Sequence, residues 1–187
     1  RMGGENKLLL PLGDVPVLAH TLAAFEKCAD VRDIVLVCRE QDIVPYTELA
    51  RTFGISKLRT VTRGGGSRTA SVLAGVNAAP EDTALVAAAP VVPVKDSIKR
   101  IENGVIAADV PRDTLAAVQT PQVFARPLLL RALNEAARQG QAYTDDCAAV
   151  EALGQPVYAT HGSYENIKIT TPEDIAAAEA LLQKEEI

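Results

Sequence analysis

The chain contains no tryptophan, and aromatic residues make up only 4% of it. That leaves the core to Ala, Val, Leu and Ile, and argues against a base-stacking platform for single strands. Its three cysteines (Cys28, Cys38, Cys147) are odd in number, far apart and without a CxxC spacing. A disulfide framework or a zinc site is therefore disfavoured, and a reducing cytoplasm fits. No apolar run approaches the roughly 18 residues of a membrane helix, and no secretory leader pattern is visible. An excess of positive charge is also missing: Lys and Arg number 19 against 24 Asp and Glu, a net charge of −5. Such a chain is not a general binder of nucleic acid or anionic membranes. Any phosphate it handles must be met by a local basic cluster. What is present is ordinary for a folded domain: 187 residues, 48% hydrophobic and 23% charged, one domain with a real core.

Apolar spacing predicts helices over Pro16–Cys28, Asp42–Phe53, Thr69–Ala79, Pro127–Gln139, Cys147–Leu153 and from Thr171-Pro172-Glu173-Asp174 to Leu182, several closed by glycine. Between them, short apolar runs at Asp33–Cys38, Lys57–Thr62, Thr83–Ala88 and Pro156–Thr160 read as strands. Strands alternating with helices predict an α/β domain with a largely parallel sheet.

Two places break this rhythm. The runs around Ala87–Ala89 and Pro90–Val94 have almost nothing between them, whereas a parallel crossover needs about a dozen residues. An antiparallel turn or missing residues would explain it. The stretch that follows, Val94–Ala117, is a charged ribbon centred on Asn103-Gly104, the strongest short hairpin signal. A two-stranded ribbon is not stable alone in water, so a partner subunit is expected to cover it.

Four clusters could carry chemistry. Arg1, Gly3, Gly4 and Lys7 could meet phosphate, or form a solvated terminus. Gly64-Gly65-Gly66-Ser67-Arg68-Thr69-Ala70-Ser71 lies between a strand and a helix, where α/β folds bind ligands. It is neither a Walker loop nor GxGxxG, and a plain tight turn fits it as well. Asp96-Ser97-Ile98-Lys99-Arg100 faces Arg112 across the ribbon. Asn166-Ile167-Lys168-Ile169-Thr170 reads as extended, with Lys168 and Thr170 on one face. His20 and His161 have no second His or Cys nearby to make a metal site, and no Ser/His/Asp set is apparent.

Jointly, GGGSRTASVLAG, VPVKDSIKR, VPRDTLAAVQTPQVF, TDDCAAVEALG and NIKITTPEDIAAAE resemble the 2-C-methyl-D-erythritol 4-phosphate cytidylyltransferase family, over nearly the whole chain. The resemblance implies a Rossmann-like, three-layer α/β nucleotidyltransferase domain spanning 1–187. It also implies a protruding β-arm, 94–118, that forms a homodimer and completes the partner's site. It further implies a cytoplasmic enzyme that moves a cytidylyl group from CTP to a polyol phosphate, with Mg²⁺ or another divalent cation and no metal ligand assigned among the residues. Arg1, Lys7 and Lys168 would be catalytic, around the CTP phosphates. Gly65, Gly66 and Ser71 would contact cytosine, with Arg68 a structural neighbour. Ser97, Arg112, Thr144 and Thr170 would meet the sugar phosphate.

The chain departs from the family pattern in several places. It begins at Arg1-Met2, where the family has a strand and an AAGxGxRM loop before that point. An HDAARP-like segment expected after Ala84-Leu85-Val86 is absent, Lys7 is one residue closer to Arg1 than expected, and Gly66 replaces an acid of some relatives. These departures imply that the sequence omits loops, with a wide Cα step near Val86–Ala89. Two alternatives stand beside the main reading: a ribitol-5-phosphate cytidylyltransferase and a non-catalytic nucleotide-binding paralogue.

Overall fold

The structure is a computed structural model and describes residues 6–80 and 88–185. A short 3-10 turn, Lys7–Leu9, leads into a small hairpin, β1 (Pro11–Leu12) and β2 (Val15–Pro16), and then α1 (Val17–Lys27). The pattern β3 (Ile34–Cys38), α2 (Ile43–Thr52), β4 (Leu58–Arg63), α3 (Arg68–Ala78) follows the predicted alternation. Residue pairs from Ile34↔Leu58 to Cys38↔Arg63 run parallel, so α2 is a crossover helix. Next come β5 (Ala88–Pro93), β6 (Ile98–Glu102), β7 (Val105–Val110) and β8 (Ala116–Val118). The chain closes with α4 (Arg126–Gln139), α5 (Asp146–Glu151), β9 (Tyr158–His161) and α6 (Pro172–Glu185).

The expected largely parallel sheet is corrected to mixed sheets. β5 pairs parallel with β9 but antiparallel with β8. Among the described residues no strand pairing joins β3–β4 to the β8–β5–β9 group. The reason for the antiparallel pair is connectivity. β8 returns straight from the ribbon with no crossover helix, and a directly returning strand can only run back along its neighbour. The two strand-like runs around Ala88–Val94 are one strand, β5. The expected Thr83–Ala88 strand, the missing loop and the wide Cα step fall mostly on residues 81–87, outside the described residues.

The ribbon is a hairpin as its sequence predicts. β6 and β7 pair antiparallel from Ile98↔Val110 to Glu102↔Val105, around Asn103 (φ 50°) and Gly104 (φ 79°). Two consecutive positive φ values make the primed turn that matches strand twist. The chain leaves the sheet at Pro93 and rejoins it opposite, at Ala116. The arm is thus 94–115, and β8, grouped with it by sequence, belongs to the sheet.

Three apolar clusters hold these elements. α1 and α2 meet through Leu18, Leu22, Tyr46 and Ala50. α4 and α5 pack with Phe124, Ala132, Cys147 and Val150 beside β5. Leu12, Val17 and Ala178 join α6 to α1. Leu8 packs on both the first and third clusters, and this seats the turn that carries Lys7.

Candidate active site

The glycine loop lies at the carboxyl ends of the parallel pair. Val37, Cys38, Arg39, Glu40, Arg63, Gly64, Gly65, Ser71 and Val72 line an open cleft of about 530 Å³. Ser67 caps α3, its hydroxyl accepting from the Ala70 amide at 3.1 Å. The Ser71 hydroxyl accepts from the Gly65 amide at 3.1 Å and donates to the Ser67 carbonyl at 2.9 Å. The loop is therefore folded back onto the first turn of its own helix. A Cβ on Gly65 would collide with the Ala70 side chain and lie 3.1 Å from its backbone carbon, whereas one on Gly66 would meet nothing within 4 Å. Gly65 is a glycine by necessity of packing, and Gly66 leaves open space beside the loop.

Arg68 points away from the cleft. Its guanidinium grips Asp146 of α5 with two bonds, at 2.6 and 2.8 Å. The Asp146 hydrogen bond holds the guanidinium's pKa above its ordinary value. The side chain is thereby engaged in tying α3 to α5.

A second group forms around Lys7 and the 166–170 segment. The Lys7 ammonium donates to the Ile169 carbonyl at 3.0 Å. Asn6 fixes the turn from behind. It accepts from the Tyr46 hydroxyl at 2.9 Å and donates to Asp42 at 3.2 Å. The Asn166–Thr170 segment belongs to no sheet, contrary to a strand reading. It still alternates: Ile167 and Ile169 are half-buried, and Asn166, Lys168 and Thr170 are exposed. The two isoleucines pack on the Leu12–Val17–Ala178 cluster, and this turns Lys168 outward. The Thr170 hydroxyl and amide, with the Thr171 amide, donate to Asp174 at 2.9, 2.7 and 2.7 Å. These bonds, the Thr170 amide foremost, pull the Asp174 carboxyl down to about 2. Asp174, the third residue of α6, thus caps the helix by accepting from the residues ahead of it, and the Thr170 hydroxyl oxygen is left able to accept from a ligand.

The arm's root holds the third group. Arg112 donates to the Lys95 carbonyl at 2.8 Å, across the link that carries exposed Ser97. The Lys95 ammonium sits 3.4 Å from the centre of the Tyr164 ring. Thr144 is exposed just ahead of Asp145, which caps α5 by accepting from Ala148 at 2.9 Å. Arg1 lies outside the described residues.

The sequence reading missed how these groups are tied together. Gln122 donates to Asp145 at 3.0 Å and accepts from the Asp146 amide at 3.2 Å, beside Thr144. Gln119 and Thr120 grip the turn that precedes Lys168. The only signal is two glutamines three apart, flanking Pro121. Among the described residues no three His, Cys, Asp or Glu side chains are grouped to hold a metal.

Comparison with known proteins adds independent findings. A family model described as 2-C-methyl-D-erythritol 4-phosphate cytidylyltransferase matches residues 1–87 and 79–184. The two matches overlap at 79–87, where the strand spacing breaks. The chain is 42% identical over 213 residues to the protein of that name from Desulforamulus reducens, covering 98% of this chain and 91% of the relative. It is 38% identical over 208 residues to that from Halalkalibacterium halodurans, with the same coverage. The crystal structure of the Thermus thermophilus enzyme of the same name matches with a TM-score of 0.78 at 30% identity. That match covers 95% of this chain and 94% of the other.

Proposed function

The chain belongs to the 2-C-methyl-D-erythritol 4-phosphate cytidylyltransferase family, and on that basis we infer that it transfers a cytidylyl group from CTP to 2-C-methyl-D-erythritol 4-phosphate. The products are 4-diphosphocytidyl-2-C-methyl-D-erythritol, an isoprenoid precursor, and pyrophosphate. In this reaction a phosphate oxygen of the polyol attacks the α-phosphorus of CTP. The new P–O bond forms as the bond to the β-phosphate oxygen breaks, and pyrophosphate carries the electron pair away.

We propose residue roles on the same footing. The nucleophile is ionised at neutral pH and needs no general base. The task is to bring two polyanions together, so catalysis rests on positioning and charge neutralisation. The observation that supports this reading is the Lys7 ammonium held on the Ile169 carbonyl, one residue from Lys168. Lys7 and the neighbour of Lys168, 162 residues apart in sequence, are thus in direct contact. Arg1, Lys7 and Lys168 are assigned to the CTP phosphates, and Gly65, Gly66 and Ser71, on the cleft loop, to cytosine. Ser97, Arg112, Thr144 and Thr170 are assigned to the polyol phosphate. No three His, Cys, Asp or Glu side chains among the described residues are grouped as a metal cage, and no protein ligand is assigned to a metal. A divalent cation belongs to this proposal only as a companion of the triphosphate, and no step is derived through it.

The arm is proposed to pair with a second copy. Ile101, Val105 and Ile106 on it are 57%, 67% and 64% exposed, and a bare apolar hairpin needs a partner surface. A cytoplasmic setting is part of the same proposal. The three cysteines are unpaired, and no described helix is long and apolar enough to cross a membrane.

The test is pyrophosphate release from CTP with 2-C-methyl-D-erythritol 4-phosphate, ribitol 5-phosphate or neither. Release with the first alone is expected. Preference for ribitol 5-phosphate would reassign the polyol, and no release with either would favour a non-catalytic paralogue.

A further inference from the structure

We propose that Gln119 is a positioning residue for Lys168, acting through the turn 163–166; the proposal rests on the reading of Lys168 given above. Gln119 is anchored to the sheet. Its amide donates to the Pro90 carbonyl of β5 at 2.8 Å. From there its side-chain amide closes over the turn from both sides. Nε2 donates to the carbonyls of Ser163 at 2.7 Å and Asn166 at 3.1 Å, while Oε1 accepts from the Ser163 amide at 3.2 Å. Asn166 answers in the other direction, its side chain donating to the Thr120 carbonyl at 2.7 Å. Four hydrogen bonds thus tie 119–120 to a four-residue turn whose last member stands two residues before Lys168.

The neighbouring glycine is shaped by this clamp. A Cβ on Gly162 would strike Gln119 Oε1 and stand 3.0 Å from the Val91 carbonyl oxygen. Position 162 must stay bare for the glutamine to lie there. The far side of the turn is held as well, by the Tyr164 hydroxyl donating to the Pro93 carbonyl at 2.7 Å.

The clamp matters because Lys168 lies in no sheet. No sheet ladder fixes residues 166–170. Downstream of Lys168 the segment is held by Lys7 on the Ile169 carbonyl and by the Thr170 bonds to Asp174, and its two isoleucines pack on the third cluster. Upstream of Lys168 the glutamine clamp sets where the turn lies. Rotating or loosening the turn moves the Lys168 backbone directly, and a catalytic cation misplaced by about 1 Å costs roughly a hundredfold in rate. A partial loosening costs less.

The experiment is a double-mutant cycle with Gln119→Leu and Lys168→Ala, followed by pyrophosphate release. Gln119→Leu is expected to fold with wild-type circular dichroism, to lower kcat about tenfold, and to change KM for CTP less than about twofold, a partial form of the loss that misplacement causes. In the Lys168→Ala background it should lower kcat no further. Gly162→Ala, which displaces the same side chain from the other direction, should reproduce the kcat loss and provides the test if the leucine variant does not fold. Wild-type kcat in both Gln119→Leu and Gly162→Ala, or the same fold loss with and without Lys168, would overturn the proposal. Wild-type turnover of Lys168→Ala alone would overturn the underlying reading of Lys168, and the proposal with it.

Discussion

The Lys7 ammonium donates a 3.0 Å hydrogen bond to the carbonyl of Ile169, joining the first described turn of the chain to the segment that presents Lys168. An ammonium has three donors. One bond to a carbonyl fixes its direction and leaves the others to point at a ligand. Lys7→Ala is expected to lower kcat for cytidylyl transfer by roughly a hundredfold, the typical loss of about 3 kcal/mol for one preorganised charge contact. The thermal midpoint should move little, because the Leu8 packing and the Asn6 bonds survive. Steady-state kinetics beside a melting curve checks this, and wild-type turnover would remove Lys7 from the reaction.

The glycine loop separates two substitutions that look alike in the sequence. Gly65→Ala forces a Cβ onto Ala70, whose backbone is fixed by the α3 cap. Overpacking of this kind costs about 1–3 kcal/mol, and the cleft rim must shift with it. A raised KM for CTP and a lower melting temperature are expected. Gly66→Ala meets open space and should leave stability within about 0.5 kcal/mol. Equal loss of melting temperature in the two variants would show that the loop is not held as described.

Much of this was legible in the residues. The Asn103-Gly104 turn and the glycine stop that closes the helix after Gln139 (Gly140, φ 64°) are local signals, set by backbone sterics and short-range hydrogen bonds, and they appear where expected. The cytidylyltransferase motifs also draw Lys7 and Lys168 together, and the bond from Lys7 to Ile169 joins the two segments that carry them. What was not legible is long-range. The antiparallel placement of β8 depends on the arm being inserted in the sheet. The strand reading of 166–170 failed because period-two alternation records burial on one face and says nothing of a neighbouring backbone. Gln119 and Gln122 are polar residues with no periodicity, and their roles depend on partners 44 and 23 residues away.

Arg68 and Asp146 tie α3 to α5, so their loss should register as stability. Asp146 is only 14% exposed at its side chain, while Arg68 is 45% exposed, and solvent screening weakens the pair accordingly. Arg68→Ala is expected to destabilise by about 1 kcal/mol, lowering Tm by roughly 2–4 °C for a chain of this size. The KM for CTP should stay unchanged. A normal melting curve with a raised KM would instead assign Arg68 to the nucleotide.

Cys147 offers a test of burial. It is 4% exposed, and burial pushes its thiol up to about 11. Thiolate is the reactive form, so Cys147 should resist alkylation in the native protein near neutral pH, whereas exposed Cys28 reacts. Mass spectrometry after a timed iodoacetamide pulse, with and without denaturant, reads this directly. Native labelling of Cys147 at the Cys28 rate would contradict the packing of α5.

The cap of α6 supplies the pH prediction. The Asp174 carboxylate accepts three hydrogen bonds from Thr170 and Thr171 and sits at the helix N-terminus, where negative charge is favoured. Its pKa is lowered to about 2. A carboxyl depressed in the folded state contributes stability that is complete above its unfolded value of about 3.9 and is lost as pH falls through its folded value. The window is therefore roughly pH 4 down to 2. Asp174→Asn is expected to melt below wild type at neutral pH, with the difference shrinking through that window and vanishing at its acid end. Melting temperatures of both proteins from neutral pH down through the window test it. A gap that persists unchanged at the acid end would mean that the variant loses packing rather than the charge that caps α6 beside Lys168.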